Sequence, residues 1–228
     1  VRFGKSHPAG AALAALCFST LAACGGAREE EAAAPAPSEE ADSLYGEGAF
    51  ADMMLGDPQA PVTVIEYASV TCPVCAVFHQ AVFPEFKAKY IDTGKVKFVF
   101  REFPAHNPQL TFAGSMVARC AAGKGGNAAY FAVVNKMFET QEVWAEGDNP
   151  RRELQKIAME AGMDEAAFEA CIRREDLLDL LNRVAGNARD EYGVGGTPSF
   201  FINGAPLTNG WALKDFDQAI EQASPAAD

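Results

Sequence analysis

The residues best suited to chemistry are Cys72-Pro73-Val74-Cys75. Two thiols at this spacing can form and open a disulfide with each other, and can exchange it with another pair of thiols. The attacking species is the thiolate, whose pKa falls at the first turn of a helix, where unpaired N–H groups and the helix dipole favour negative charge. Cys72, at the edge of such a turn, is the expected nucleophile. Cys75, one turn inside, is the expected resolving thiol that releases a mixed disulfide. Two other uses of the pair are less suited to it. A structural zinc takes four ligands, and His79 is the nearest additional candidate. A purely structural bridge across two residues would close too short a loop to stabilise much.

The flanking sequence supplies elements that would hold the pair in place. Pro61–Ala68 is a short apolar run rich in β-branched residues and predicts a buried strand. Pro73 suits the first position of a helix running to Tyr90, with Pro84 expected to kink it. Residues 95–101 alternate and predict a second strand, completing a βαβ unit. Residues 108–192 read almost entirely as helix. Asn149 before Pro150, and Asp164, are expected N-caps. Leu177, Leu178, Leu181, Val184 and Ala188 recur at helical spacing, and Gly193 ends the run. Ser199–Asn203 predicts a strand, Asn203-Gly204 a turn, 205–207 a return strand, and 213–222 a last helix. The expected class is α/β, a thioredoxin-like fold with an inserted all-helical subdomain at about 108–192.

The chain has 228 residues and a formal net charge of −12. That length suits one domain, and the acidic balance argues against nucleic acid as a partner. Arg2 and Lys5 precede a largely apolar run from Ala9 to Ala23, shorter than the ~20 residues a membrane-spanning helix needs. The run ends in Leu21-Ala22-Ala23-Cys24, which resembles the lipobox of bacterial lipoproteins. That resemblance implies a signal peptide over 1–23, removed with Cys17, and lipidation of Cys24; a plain secretory signal is the competing interpretation. Residues 24–50 are acidic, low in complexity and Pro-containing, and are expected to be a flexible linker. The folded domain is expected over 51–226.

Taken in order, several segments resemble the bacterial DsbA-like family of thioredoxin-fold oxidoreductases. Cys72-Pro73-Val74-Cys75 resembles its Cys-Pro-x-Cys motif. Val64-Ile65-Glu66-Tyr67 resembles its first core strand, with an acidic residue six positions before the nucleophile. Gly195-Gly196-Thr197-Pro198-Ser199-Phe200-Phe201 resembles its cis-proline loop, and the helical block matches its inserted domain. The resemblance implies a protein thiol–disulfide oxidoreductase with Cys72, Cys75, Pro198, Thr197 and Glu66 at its site. Pro198 would be cis and lie against the Cys72 sulfur. Thr197 would offer its backbone to an extended substrate. Glu66 would be a buried carboxylate exchanging a proton with Cys75. Val74 departs from the strongest oxidants of the family, which carry histidine there, so a less acidic Cys72 is expected. His79 is expected to be a packed or half-exposed helix residue. Cys120 and Cys171 are an even pair in an exported chain, and some members carry a second disulfide in the inserted domain; a structural bridge is expected, with two buried free thiols as the alternative.

The expected function is the formation of disulfides in cell-envelope proteins, on the periplasmic face of a membrane. The partners implied are reduced cysteine-containing exported proteins and a DsbB-like membrane reoxidant, or a DsbD-like donor if the protein is instead an isomerase or reductase. A metal chaperone using Cys72, Cys75 and His79 is a third possibility. No cofactor or metal is expected, and a monomer is.

Overall fold

The computed structural model describes residues 45–224. The expected signal segment, Cys24 and most of the linker lie outside them. The strands are β1 (Met53–Leu55), β2 (Val62–Ala68), β3 (Val96–Glu102), β4 (Ser199–Ile202) and β5 (Ala205–Pro206). They form one five-stranded sheet in the order β1-β3-β2-β4-β5. β2 runs parallel to β3, and the other pairs are antiparallel. The helices are α1 (Pro73–Ala81), α2 (Phe83–Phe86), α3 (Pro108–Glu139), α4 (Gln141–Trp144), α5 (Pro150–Glu160), α6 (Glu165–Cys171), α7 (Glu175–Asp190) and α8 (Leu213–Ala223). The class expected from the sequence, a thioredoxin-like α/β fold with a helical insertion, is the class observed.

β2 is a near-continuous apolar run because it lies inside the sheet with both faces covered. Side chains alternate between those faces. Val64 and Ala68 join Phe98, Phe100, Phe200 and Ile202 in the larger core, with Phe78, Phe83, Phe86 and Phe216 from the helices. Ile65 and Tyr67 join Val99 and Phe201 on the opposite face, covered by Ala185 and Ala188 of α7. The chain breaks between α1 and α2 at Val82. Pro84 has no N–H to continue the ladder of α1, so the expected kink becomes a break with proline in the first turn of the next segment. A π-helical turn, Lys87–Ile91, closes the segment.

The insertion is held by caps. Asn107, Asn149 and Asp164 accept hydrogen bonds from Leu110, Arg152 and Ala167 N–H groups. α3 is interrupted at Gly126, whose φ of +63° a residue with a side chain would adopt only under strain. In α7 the buried positions are Leu177, Leu180, Leu181, Val184, Ala185 and Ala188, whereas Leu178 faces outward. The Cys120 and Cys171 sulfurs are 2.09 Å apart in a disulfide tying α3 to α6.

Two features differ from expectation. The short edge strand β1 has no alternating signature, and its three residues pair with Phe98–Phe100. The linker also ends earlier than residue 50. Ala49 is buried, and residues 48–50 form a 3₁₀ turn. Arg119 explains the turn: its guanidinium donates to the Ala49 and Ala51 carbonyls at 3.0 and 3.1 Å. It also grips Glu102 at 2.6 and 2.7 Å, and Tyr130 donates to the same carboxylate. A buried ion pair is costly unless its remaining donors are satisfied, and the backbone of residues 49–51 takes both Nη1 donors of Arg119.

Candidate active site

Cys72 is the N-cap of α1, and Pro73 occupies its first turn. The turn leading into it is fixed from several directions. Ser69, Thr71 and Thr111 form a buried triangle of hydroxyls, with oxygens 2.8–3.0 Å apart. Ser69 also donates to the Ala105 carbonyl at 2.9 Å. Gln141 of α4 donates to the Val70 and Cys72 carbonyls at 2.8 and 3.1 Å. Gly114 lets α3 come close: a Cβ there would lie 3.0 Å from Val70 and 3.2 Å from Trp144. The insertion therefore clamps the loop that presents the nucleophile. Ser69, Thr71, Thr111 and Gln141 escaped the sequence reading. The hydroxyls at 69 and 71 were a visible signal, but their partners come from residues far along the chain.

Cys72 and Cys75 are free thiols and both are buried, Cys75 completely. The Thr197–Pro198 peptide bond is cis, and the Thr197 carbonyl accepts from the Cys72 thiol at 3.4 Å. The cis-proline loop and the nucleophile are thus brought together. The Thr197 hydroxyl is buried without a hydrogen-bond partner while Cys72 keeps its proton, and is a side-chain donor for the Cys72 thiolate.

The two thiols are driven apart in acidity. The Cys72 pKa is lowered from 9.0 to about 5. Hydrogen bonding from the Cys75 side chain is the largest cause; burial opposes it, and the Thr197 side chain and the backbone N–H groups of Cys75 and Val74 add to it. Cys75 is pushed well above 9.0, first by burial, then by its hydrogen bond to Cys72 and by the charge of Glu66. Such a split assigns the roles: Cys72 is ionised at neutral pH and Cys75 is not.

Glu66 is fully buried on β2. Its cross-strand neighbours are Phe100 on β3 and Phe200 on β4, so the sheet offers its carboxylate no polar partner. His79 does: Nε2 lies 2.8 Å from Glu66 Oε2. His79 is buried and stacks on Phe138 at 4.2 Å between ring centroids. It is therefore neither half-exposed nor a plain packing residue. Four residues after Cys75, it lies on the same face of α1, but the sequence did not reveal that this face looks onto Glu66. Among the described residues, no cluster of histidine, cysteine and carboxylate side chains is placed to hold a metal ion.

Val74 and Val77 stand exposed on α1 beside the thiols. Val74 itself brings no charge to the thiolate. Pro198 also lines a cleft of about 340 Å³, with Ser199, Phe200, Leu207, Thr208 and Trp211 among others.

Comparison with known proteins agrees with this geometry. Residues 49–222 match the family model described as Thioredoxin. A Rickettsia prowazekii protein named as a protein-disulfide oxidoreductase is 34% identical over 172 residues, covering 75% of this chain and 61% of that protein. The chain thus spans about three fifths of the length of the curated relatives it matches. The crystal structure of Wolbachia pipientis alpha-DsbA1 is 32% identical, with a TM-score of 0.66, covering 75% of this chain and 92% of that one. Oxidised BdbD from Bacillus subtilis shares the fold at a TM-score of 0.67 and 20% identity, over 84% and 97% of the two chains. The chain belongs to the thioredoxin family, in its DsbA-like branch.

Proposed function

We propose that this protein is a protein thiol–disulfide oxidoreductase that forms disulfides in exported proteins through Cys72 and Cys75. The observation that carries the reading is the split in acidity between them. A substrate thiolate attacks the Cys72 sulfur of the oxidised protein. The Cys72–Cys75 bond breaks, and Cys75 leaves with the electron pair and takes a proton. A second substrate thiolate then attacks the substrate sulfur of the mixed disulfide, and Cys72 leaves as a thiolate. The substrate dithiol becomes a disulfide, and the protein holds the two electrons as the dithiol. A Cys72 thiolate stable down to about pH 5 is a good leaving group and stabilises the reduced protein, which favours oxidation of substrate. Ionisation also removes the S–H that occupies the Thr197 carbonyl, freeing it to accept from an extended substrate strand.

Residues 1–23 would act as a signal peptide, and lipidated Cys24 would anchor the domain at the periplasmic face of a membrane. A membrane quinone-linked partner would reoxidise the dithiol. One observation favours the opposite direction, that of an isomerase or reductase: Val74 offers the thiolate no cation. Trapping thiols by acid quench and alkylation in growing cells separates the two. Cys72–Cys75 found mostly as disulfide supports the oxidase; mostly dithiol overturns it. Metabolic labelling with a fatty acid, lost in Cys24→Ala, tests the anchor.

A further inference from the structure

Departure or attack of Cys75 requires a proton to cross a fully buried site, and Glu66 alone does not connect that site to solvent. We propose that His79 is the positioning residue that completes the path: it holds Glu66 towards Cys75 and reloads it with protons from the cleft between α1, α2 and α3. This rests on the exchange chemistry proposed above.

The geometry supports each part. Glu66 Oε2 is taken by His79 Nε2 at 2.8 Å, whereas Oε1 is buried and has no partner. Oε1 is therefore the oxygen left for Cys75, whose acidity feels the Glu66 charge. A buried pair is least costly when neutral overall. A neutral pair keeps one proton between Oε2 and Nε2 and a second at one of its two free ends, on Nδ1 or on Oε1. Nδ1 is buried, and it too lacks a partner. A neutral pair with an unshared donor at one end and an unshared acceptor at the other is arranged to pass a proton along its length.

The outer end is close to solvent. His79 lines a cleft of about 360 Å³ with Gln80, Phe83, Lys87, Asn135 and Glu139. The ionisable groups around the ring are Glu66 from β2, Cys75 on its own helix, Lys87 from the π-turn and Glu139 from α3; β3 and α2 contribute Phe100 and Phe83. Lys87 is engaged by Asp92 at 2.5 Å. From the form with its second proton on Oε1, Glu66 gives that proton to the leaving Cys75 thiolate, the shared proton moves from Nε2 to Oε2, and the bare Nδ1 takes a proton from the cleft. When Cys75 attacks, the same proton travels outward.

The test follows the mixed disulfide. Reduced protein is mixed with oxidised glutathione, quenched in acid at intervals from pH 5 to 8, and weighed by mass spectrometry. Formation of the Cys72–glutathione adduct reports Cys72, and its decay reports attack by Cys75. His79→Gln keeps a hydrogen bond to Glu66 but cannot relay a proton. It should leave adduct formation unchanged and prolong adduct lifetime by roughly a hundredfold, the usual scale of lost acid–base assistance. The decay rate should then rise tenfold per pH unit, as for unassisted ionisation. Glu66→Gln should behave alike, and the double variant should be no slower than Glu66→Gln alone. A wild-type lifetime and pH profile in His79→Gln, or additive losses in the double variant, would overturn the relay. If His79→Gln fails to fold, as its circular dichroism would reveal, Glu66→Gln with an unaltered profile overturns it equally. Wild-type protein that forms no adduct at all would instead refute the exchange chemistry.

Discussion

The two cysteine pairs share a chain and a compartment but are built for opposite ends. Cys72 and Cys75 lie three residues apart at a helix start, one ionised at neutral pH and one held neutral. Cys120 and Cys171 lie 51 residues apart, bridged between two helices of the insertion. A bridge over a long loop restricts the unfolded chain, whereas one over a short turn restricts little. Conversely, only the short pair sits where helix N–H groups and the Thr197 carbonyl surround a sulfur. Loop length thus separates the structural pair from the reactive one, and helix position gives the reactive one its polarity.

The sharpest way to break this comparison is to remove single thiols from the reactive pair. Cys72→Ala should abolish exchange with a dithiol peptide and with glutathione, because Cys75 is buried and un-ionised. Cys75→Ala should still react once and stop as a stable adduct on Cys72, visible by mass. An adduct on Cys75 in Cys72→Ala would show that the split in acidity does not assign the roles.

The next effect concerns stability alone. Cys120→Ala/Cys171→Ala should lose up to about 4 kcal/mol of unfolding free energy, the chain-entropy value for a loop of this length. Denaturant titration measures it, with both proteins reduced at Cys72–Cys75. The rate of Cys72 alkylation should stay at the wild-type value. A change in that rate would mean the insertion's bridge also shapes the active-site clamp through α3 and Gln141.

Much of this contrast was legible in the sequence, and the parts that were not share a cause. The strands, the helix starting at Pro73, the caps at Asn149 and Asp164 and the turn at Asn203-Gly204 all rest on local signals, where a few adjacent residues carry the physics. The Glu66–His79 pair, the Thr111 corner of the hydroxyl triangle and the Gln141 clamp rest on contacts between residues 13 to 71 positions apart. No periodicity or spacing encodes them. β1 was missed because three residues cannot display alternation. The linker boundary was missed because composition governs the order of a tail only until a buried guanidinium, here Arg119, needs its carbonyls.

The smallest expected effect sharpens the comparison most, because it tests whether Cys72's acidity comes from the helix start alone. At wild-type Val74 the thiolate is held by the Cys75 side chain, the Thr197 side chain and backbone N–H groups, giving a pKa of about 5. The rate of Cys72 alkylation in the reduced protein should therefore titrate with a midpoint near pH 5. The sign for stability follows. The pKa is depressed on folding, so the reduced protein gains stability over the window from about 5 to 9.0, and the gain is full above the unfolded value. It is lost as pH falls through the folded value, and the oxidised protein, having no titrating thiol, does not share it. Val74→His places an ionisable ring at an exposed position beside the sulfur. Its positive form should lower the alkylation midpoint further and make the disulfide more oxidising, by about 30 mV for each unit of pKa. Solvent screening at this exposed site keeps the gain modest, and salt should reduce it. Equilibration with glutathione buffers at two ionic strengths measures both. An unchanged potential would mean the amides and Thr197 already saturate the stabilisation, leaving valine at this position no less oxidising than histidine.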